Sequence, residues 1–224
     1  MIEATYVDHM GSDLSVVNAA RVSFGKKSQF EGRVGGPNVL SQRDSKLIRY
    51  LAKHKHISPF GHAFASFHVK APIFVARQLV KHSFLRWNEV SRRYVDDEPK
   101  FYVPDVWRGR SADKKQGSEG EVKLGKLDDT IVSDSPYEAL CAYKALLQAG
   151  VAPEQARMVL PQSTMTEWYW SGSLDAFARM CNLRLPADTQ QETRVVAQQI
   201  DEVMSGLFPV SWEALIHGEW MKEN

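Results

Sequence analysis

The sequence predicts an α+β fold: a single domain over residues 1–224, with one central sheet flanked by helices. Three observations carry this. Several segments repeat apolar residues at helical spacing, and a few shorter ones alternate apolar with polar residues as strands do. No internal repeat and no linker of shifted composition divides the chain. At 224 residues and 43% hydrophobic content, the chain can bury one sizeable core. Helices alternating with a few strands argue for a sheet with helices packed on it.

The elements follow in order. Ser12-Asp13 can cap a helix whose apolar positions Leu14, Val17 and Ala20 recur at helical spacing up to Val22, leaving Arg21 and Ser23 at its C-terminal end. Residues 25–38 are polar and glycine-rich with no apolar period, so a mobile loop is expected there. Leu47, Ile48 and Leu51 share one face of a helix expected from Arg43 to His54, with basic residues toward its end as the dipole favours. Apolar residues alternate with Ser66 and His68 from Ala63 to Val69, which suits a strand with one buried face. Pro72 then fits the first turn of a helix from Ile73 to about His82.

Tyr94-Val95 and Phe101-Tyr102-Val103 read as short extended pieces, and residues 108–127 as a second mobile loop, lysine- and glycine-rich with little to bury. Pro136 is expected to open a long helix carrying Leu140, Tyr143, Leu146 and Leu147 and closed by Gly150, and Pro153 to open the next, with Arg157 on it. Thr164 to Trp170 is a strand candidate. Ser173 is placed to cap a helix reaching Leu183-Arg184, and a last helix runs from about Asp188 to Leu207, stopping before Pro209.

Composition excludes several classes of function. Lysine and arginine total 28 against 27 acidic residues, so a net charge of +1 provides no global field to recruit nucleic acid or an anionic membrane. Any anion binding must be local. Cys141 and Cys181 stand far apart without CxxC spacing, and Asp8 and Asp13 interrupt any secretory apolar run, which reads as two reduced cysteines in a cytoplasmic protein. No apolar run approaches the roughly 20 residues that a membrane helix needs.

Local chemistry concentrates between Gln78 and Tyr94, where cations, a carboxylate, an amide, hydroxyls and aromatics crowd together. The stretch is too polar for core and too mixed for a solvated face, and it reads as a site for a planar, phosphorylated ligand. Arg77, Arg93, Arg157 and Arg184 sit beside apolar anchors rather than in charge runs. Guanidinium groups bind phosphates and ring carbonyls through fixed forks of donors, so several converging in space would clamp a nucleotide. Taken singly, each is as readily half of a salt bridge. Glu89 could accept a base N–H or a ribose hydroxyl, or neutralise Arg92 or Arg93.

Other motifs are unspecific. His54, His56, His62 and His68 invite a metal reading, but no carboxylate or cysteine completes a set, and no metal is expected. Gly32 to Gly36 lacks the strand and helix of a dinucleotide fingerprint, and no Gly-x-Ser-x-Gly elbow exists. Phe84, Trp87 and Tyr94 among basic residues could stack single-stranded nucleic acid, yet Glu89 sits at their centre.

Several blocks in one order resemble the flavin-dependent thymidylate synthases: Ala19-Ala-Arg-Val-Ser-Phe24, His56-Ile-Ser-Pro-Phe-Gly-His62, Phe67 to Gln78, Asn88-Glu-Val-Ser-Arg-Arg-Tyr94, Ala156-Arg-Met-Val-Leu-Pro161 and Asn182-Leu-Arg184. The resemblance runs from Met10 to the end. It implies an enzyme that methylates C5 of dUMP with a one-carbon unit from methylenetetrahydrofolate and reduction through FAD from NADPH, working as a homotetramer with sites between subunits. It implies that Gln78, Glu89, Ser91, Arg92, Arg93, Arg157 and Arg184 hold dUMP, with Arg184 near the pyrimidine ring. Ser23, Ser58, Lys81, His82, Ser83, Asn88 and Glu89 would lie along the flavin, and His56 near flavin and folate, so that Arg184 and His56 are the residues closest to the chemistry.

The departures fall in the flavin half. The family signature Arg-His-Arg-x-x-Ser-x-Asn-Glu-x-Ser-x-Arg-Tyr reads here Lys81-His82-Ser83-Phe84-Leu85-Arg86-Trp87 before Asn88. Lysine is a point charge and cannot copy a bidentate fork. Arg86 could restore the lost charge from the next turn if the helix continues that far. Farther on, Ser173, Arg179 and Asp188 stand where the family often has asparagines and a histidine. Two readings follow: altered FAD binding with the same net reaction, or a related folate-dependent hydroxymethylation of a pyrimidine deoxynucleotide, dUMP or dCMP.

Overall fold

The structure is a computed structural model that describes residues 1–32, 39–95, 97–112 and 117–216. In chain order its elements are β1 (Glu3–Met10), α1 (Asp13–Arg21), α2 (Gln42–Lys53), β2 (Phe64–Pro72), α3 (Ile73–Leu79), β3 (Leu85–Glu89), β4 (Arg108–Arg110), β5 (Ser118–Glu121), α4 (Lys126–Gln148), α5 (Pro153–Ala156), β6 (Met165–Ser173), α6 (Leu174–Arg184), α7 (Gln191–Leu207) and α8 (Pro209–Ile216). The mixed helix and sheet architecture is the one expected. An antiparallel sheet ordered β1-β2-β6-β3 forms its centre, and β4 pairs with β5 in a small hairpin.

Alternation decides which sheet face is covered. Ala65, Phe67, Val69 and Ala71 of β2 and Thr166, Trp168 and Trp170 of β6 are buried on one face. Trp87 of β3 stacks on Trp168 at 4.2 Å between centroids, and Trp170 and Phe67 meet Phe177 of α6 edge-on. α6 packs on β6 and α7 on β1, while α8 closes over α2, α6 and α7. α7 presents Thr193, Val196, Ala197, Ile200 and Met204, an inward stripe at helical spacing. The opposite sheet face is polar: Ser66 Oγ lies 2.8 Å from Ser171 Oγ, His68 pairs with Glu167 at 3.3 Å, and Tyr169 is exposed.

Several boundaries differ from the expected ones. The helix after Pro72 ends at Leu79 rather than His82, and a turn leads to β3, so the middle of the polar motif is a strand. Phe84 reaches that strand through a left-handed backbone with φ 68°. Gly172 opposite makes room for it: a Cβ there would stand 2.4 Å from Leu85 Cδ2 and 3.0 Å from the Phe84 carbonyl oxygen, so a larger residue would make the Leu85 side chain shift. Pro136 lies inside α4, which starts ten residues earlier at Lys126. Arg157 falls in a 3-10 turn after α5. Pro209 opens α8 instead of ending the helical region; Asp13 caps that helix, accepting the N–H groups of Val210 at 3.0 Å and Ser211 at 2.9 Å. Part of each loop expected to be mobile lies outside the described residues, namely 33–38 and 113–116. The rest of residues 108–127 carries the β4–β5 hairpin, whose Arg108 donates to Glu192 of α7 at 2.6 Å.

Candidate functional site

Two clusters of predicted site residues emerge. The first lines a cleft of about 780 Å³ between the end of α1, the outer face of α2 and the 3-10 turn Ser58–His62. Ser23, His56 and Ser58 lie on it together, joined by residues that sequence reasoning passed over: Lys26, Arg43 and Tyr50. Tyr50 meets His54 in a tilted contact at 4.3 Å and lies near parallel to His56 at 6.3 Å between centroids, giving the cleft an aromatic wall. Arg21, at the end of α1, braces it by donating Nε–H to Asp44 of α2 at 3.0 Å, with Ser28 Oγ on the same carboxylate oxygen at 3.1 Å. Burial alone would raise the Asp44 carboxyl; the hydrogen bonds, Arg21's first, hold it below the ordinary carboxylate range.

The second cluster joins α3, the following turn, α6 and the start of α7. Arg184, the last residue of α6, donates Nε–H to Nε2 of His82 at 3.1 Å. Burial first, and the Arg184 charge second, lower the His82 pKa to about 4, so the imidazole is neutral near pH 7. Burial also lowers the Arg184 pKa from its ordinary value. Gln78 sits beside them with both ends of its amide engaged: it donates Nε2–H to Gln190 and accepts from Thr193 Oγ1 at 3.4 Å. Gln190 and Thr193 carried no signal in the sequence, since α7 reads as core.

The remaining residues are placed separately. Asn88 and Arg86 share the polar face of β3 opposite Tyr169 and Ser171, whereas Glu89 and Trp87 turn to the helix-covered side. Glu89 is held by Thr166 Oγ1 at 2.6 Å and Trp87 Nε1 at 3.1 Å, so it neutralises neither Arg92 nor Arg93. Arg92 donates to the Asp97 carbonyl at 2.8 Å. Ser91 Oγ accepts from Arg93 Nε at 3.3 Å, and Arg93 lies over the Tyr94 ring at 5.0 Å. Arg157 is exposed and donates to the Glu154 carbonyl at 3.2 Å. Lys81 and Ser83 are exposed in the turn. The strand at Leu85 rules out Arg86 following Ser83 on a helical face. The cation over the neighbouring Phe84 is Arg179, whose guanidinium lies 5.2 Å from the ring centroid while donating to Asp175 at 2.7 Å.

The two clusters stand at opposite ends of one helix. Leu174 N–H bonds to the Ala63 carbonyl, next to the Ser58–His62 turn, at 2.8 Å, while Arg184 ends the same helix. The 11-residue helix takes ten steps from Leu174 to Arg184, and at 1.5 Å per residue that is a separation of about 15 Å. Hydroxyls, cations and an aromatic wall in the first cluster suit the phosphates and flat rings of a dinucleotide such as FAD. The fixed guanidinium and amide of the second suit a pyrimidine's carbonyls.

A protein with an α+β fold, a cationic cleft and a preset guanidinium–amide pair is of the class that handles nucleotides. Comparison makes this specific. Residues 5–210 match the model of the thymidylate synthase complementing protein family. The chain is 41% identical over 208 residues to a flavin-dependent thymidylate synthase of Thermus thermophilus, covering 93% of this chain and 73% of that one. It is 38% identical over 213 residues to the enzyme of the same name from Kosmotoga olearia, covering 94% and 88%. Among solved structures, a UMP/dUMP methylase, PolB from Streptomyces cacaoi, bound with 5-Br dUMP, superposes with a TM-score of 0.83 at 32% identity over 98% of this chain and 97% of that one. The chain belongs to the thymidylate synthase complementing protein family, as the resemblance in its motifs implied.

Proposed function

We propose that the protein is a flavin-dependent thymidylate synthase, transferring a one-carbon unit from methylenetetrahydrofolate to C5 of dUMP, with reduction through FAD and NADPH, to give dTMP. The observation that carries this is the Arg184–His82 contact with Gln78 fixed beside it. For C5 to attack the methylene carbon, the activated uracil must first carry enolate-like negative charge on its carbonyls, and a guanidinium already held in place stabilises that charge without reorganising. Gln78, Ser91, Arg93 and Arg157 bind the nucleotide. Ser91 is engaged by Arg93 and serves as a binding hydroxyl rather than a nucleophile. Bound FAD supplies the hydride chemistry, so no attacking side chain is needed. In the cleft, Ser23, Ser58, Lys26 and Arg43 would hold its phosphates, and His56 and Tyr50 would offer an aromatic surface to its rings.

A cytoplasmic homotetramer with shared sites fits this arrangement. The flavin cleft and Arg184 lie at opposite ends of α6, and Asn88 and Glu89 face opposite sides of the sheet, so a second copy that brings one chain's cleft to another's Arg184 completes a site. The test is an absorbance spectrum with and without added FAD, followed by incubation with methylenetetrahydrofolate, NADPH and either dUMP or UMP, and mass analysis of the nucleotide. A bound flavin and a product heavier by one methyl group are expected. A hydroxymethyl product, or turnover independent of flavin, overturns the assignment.

A further inference from the structure

We infer that His82 is a positioning residue for Arg184: its neutral imidazole accepts the arginine's Nε–H and so fixes the guanidinium plane that faces the pyrimidine. This rests on the nucleotide reading above and goes beyond it, because the family resemblance places His82 along the flavin and assigns it nothing toward Arg184.

The geometry is specific. Arg184 ends a helix, where side chains have the fewest neighbours, yet it is held twice. Its main-chain carbonyl accepts from Thr189 Oγ1 at 2.8 Å, and its Nε donates to His82 Nε2 at 3.1 Å. His82 is itself fixed, its N–H closing on the Leu79 carbonyl at 3.1 Å as α3 ends. An arginine N–H can only donate, so Nε2 must be the bare nitrogen and Nδ1 must carry the imidazole proton. With Nε occupied, the Nη groups have no partner among the described residues and form a flat fork for two acceptors. A protonated His82 could not accept, and two cations would face each other. The pKa near 4 agrees, with burial and the Arg184 charge as its causes. His82 therefore adds no positive charge to the site; it sets the direction of one that is already there.

The experiment compares His82→Leu, which has no acceptor, with His82→Gln, whose amide oxygen can accept, in otherwise intact protein. Calorimetry gives dUMP affinity, the flavin absorbance gives FAD content, and steady-state assays give kcat and KM. Loss of one hydrogen bond to a charged group predicts that His82→Leu weakens dUMP binding and kcat/KM by about tenfold to a hundredfold at unchanged FAD content. His82→Gln should recover most of the loss. In a cycle with Arg184→Ala, the double variant should be no worse than Arg184→Ala alone, since both act through one group. Should the leucine variant not fold, His82→Asn, with too short an amide to reach Nε, takes its place. Losses that multiply in the cycle, or FAD lost at unchanged dUMP affinity, overturn the proposal and leave the nucleotide reading standing. Arg184→Ala with unchanged dUMP affinity overturns that reading itself.

Discussion

Replacing Arg21 by Met tests whether the cleft is held open by one buried ion pair. The side chains of Arg21 and Asp44 are only 13% and 4% exposed, so the substitution leaves a carboxylate buried without its cation. Breaking such a pair costs about 3–5 kcal/mol. Ser28 Oγ stays on the carboxylate, and Asp44 lies in the first turn of α2, where the helix dipole returns about 0.3–1 kcal/mol. The net loss expected is about 2–4 kcal/mol, read as a lower urea midpoint at unchanged slope at pH 7. Arg21→Lys, which keeps the charge without the fork, should lose less, about 1 kcal/mol. The sign with pH follows from Asp44, whose folded pKa is depressed: its contribution is present above the ordinary carboxylate value of 3.8 and is lost as pH falls through the folded value. The gap between wild type and Arg21→Met should thus shrink below about pH 4. A variant within about 0.5 kcal/mol of wild type at pH 7 refutes the reasoning. A gap that persists unchanged in acid refutes it too, since packing rather than charge would then carry the effect.

Three further outcomes are expected. The His82 pKa is lowered from 6.5 to about 4, so the unfolded chain takes up the proton first and stability falls as pH drops through that window. Because the ring is half exposed, screening reduces this to about 1–2 kcal/mol, measured as the difference between wild type and His82→Gln; parallel curves from pH 7 to 4 would contradict it. Ser83→Arg should raise FAD affinity about two- to fivefold, the weight of an exposed charge, in a flavin titration; no gain would mean that Arg179 over Phe84 already fills the role. Asp13→Ala removes both acceptors from the start of α8 and should cost about 2 kcal/mol, seen as a drop in Tm, whereas an unchanged Tm would show that water replaces the carboxylate.

Much of the fold is legible because burial writes periodicity into the chain. The stripe on α7 and the alternation in β2 are set by the core they face, and both were readable. The missed elements lack that imprint. β1 is an edge strand with a bulge between Tyr6 and Asp8, and Ala4 is its single buried residue, so no alternation survives. The first ten residues of α4 are mostly exposed, and Pro136 drew attention to the wrong start. α8 begins at a proline that, read locally, ends a helix; its cap comes from Asp13, which lies 197 residues before Val210. Such information is not local, and no window of sequence contains it.

The site shows the same division, and the division says which of its residues answer to the fold and which to a ligand. Lys81, Ser83 and Arg86, where the chain departs from its family's signature, are all exposed, so the fold constrains none of them tightly. His82, in the same turn, keeps the family residue and is tied to Arg184. Leu85 packs tightly over Gly172, where any Cβ opposite would make its side chain shift. Glu89 also keeps the family residue, and Thr166 and Trp87 occupy both its oxygens, which gives it a structural reason to stay. Asn88 has no such reason. It matches the family and is exposed on the polar sheet face, and its amide meets no hydrogen-bond partner among the described residues. The fold thus gives no use for this amide, whose donors and acceptor stand open on the polar face of β3.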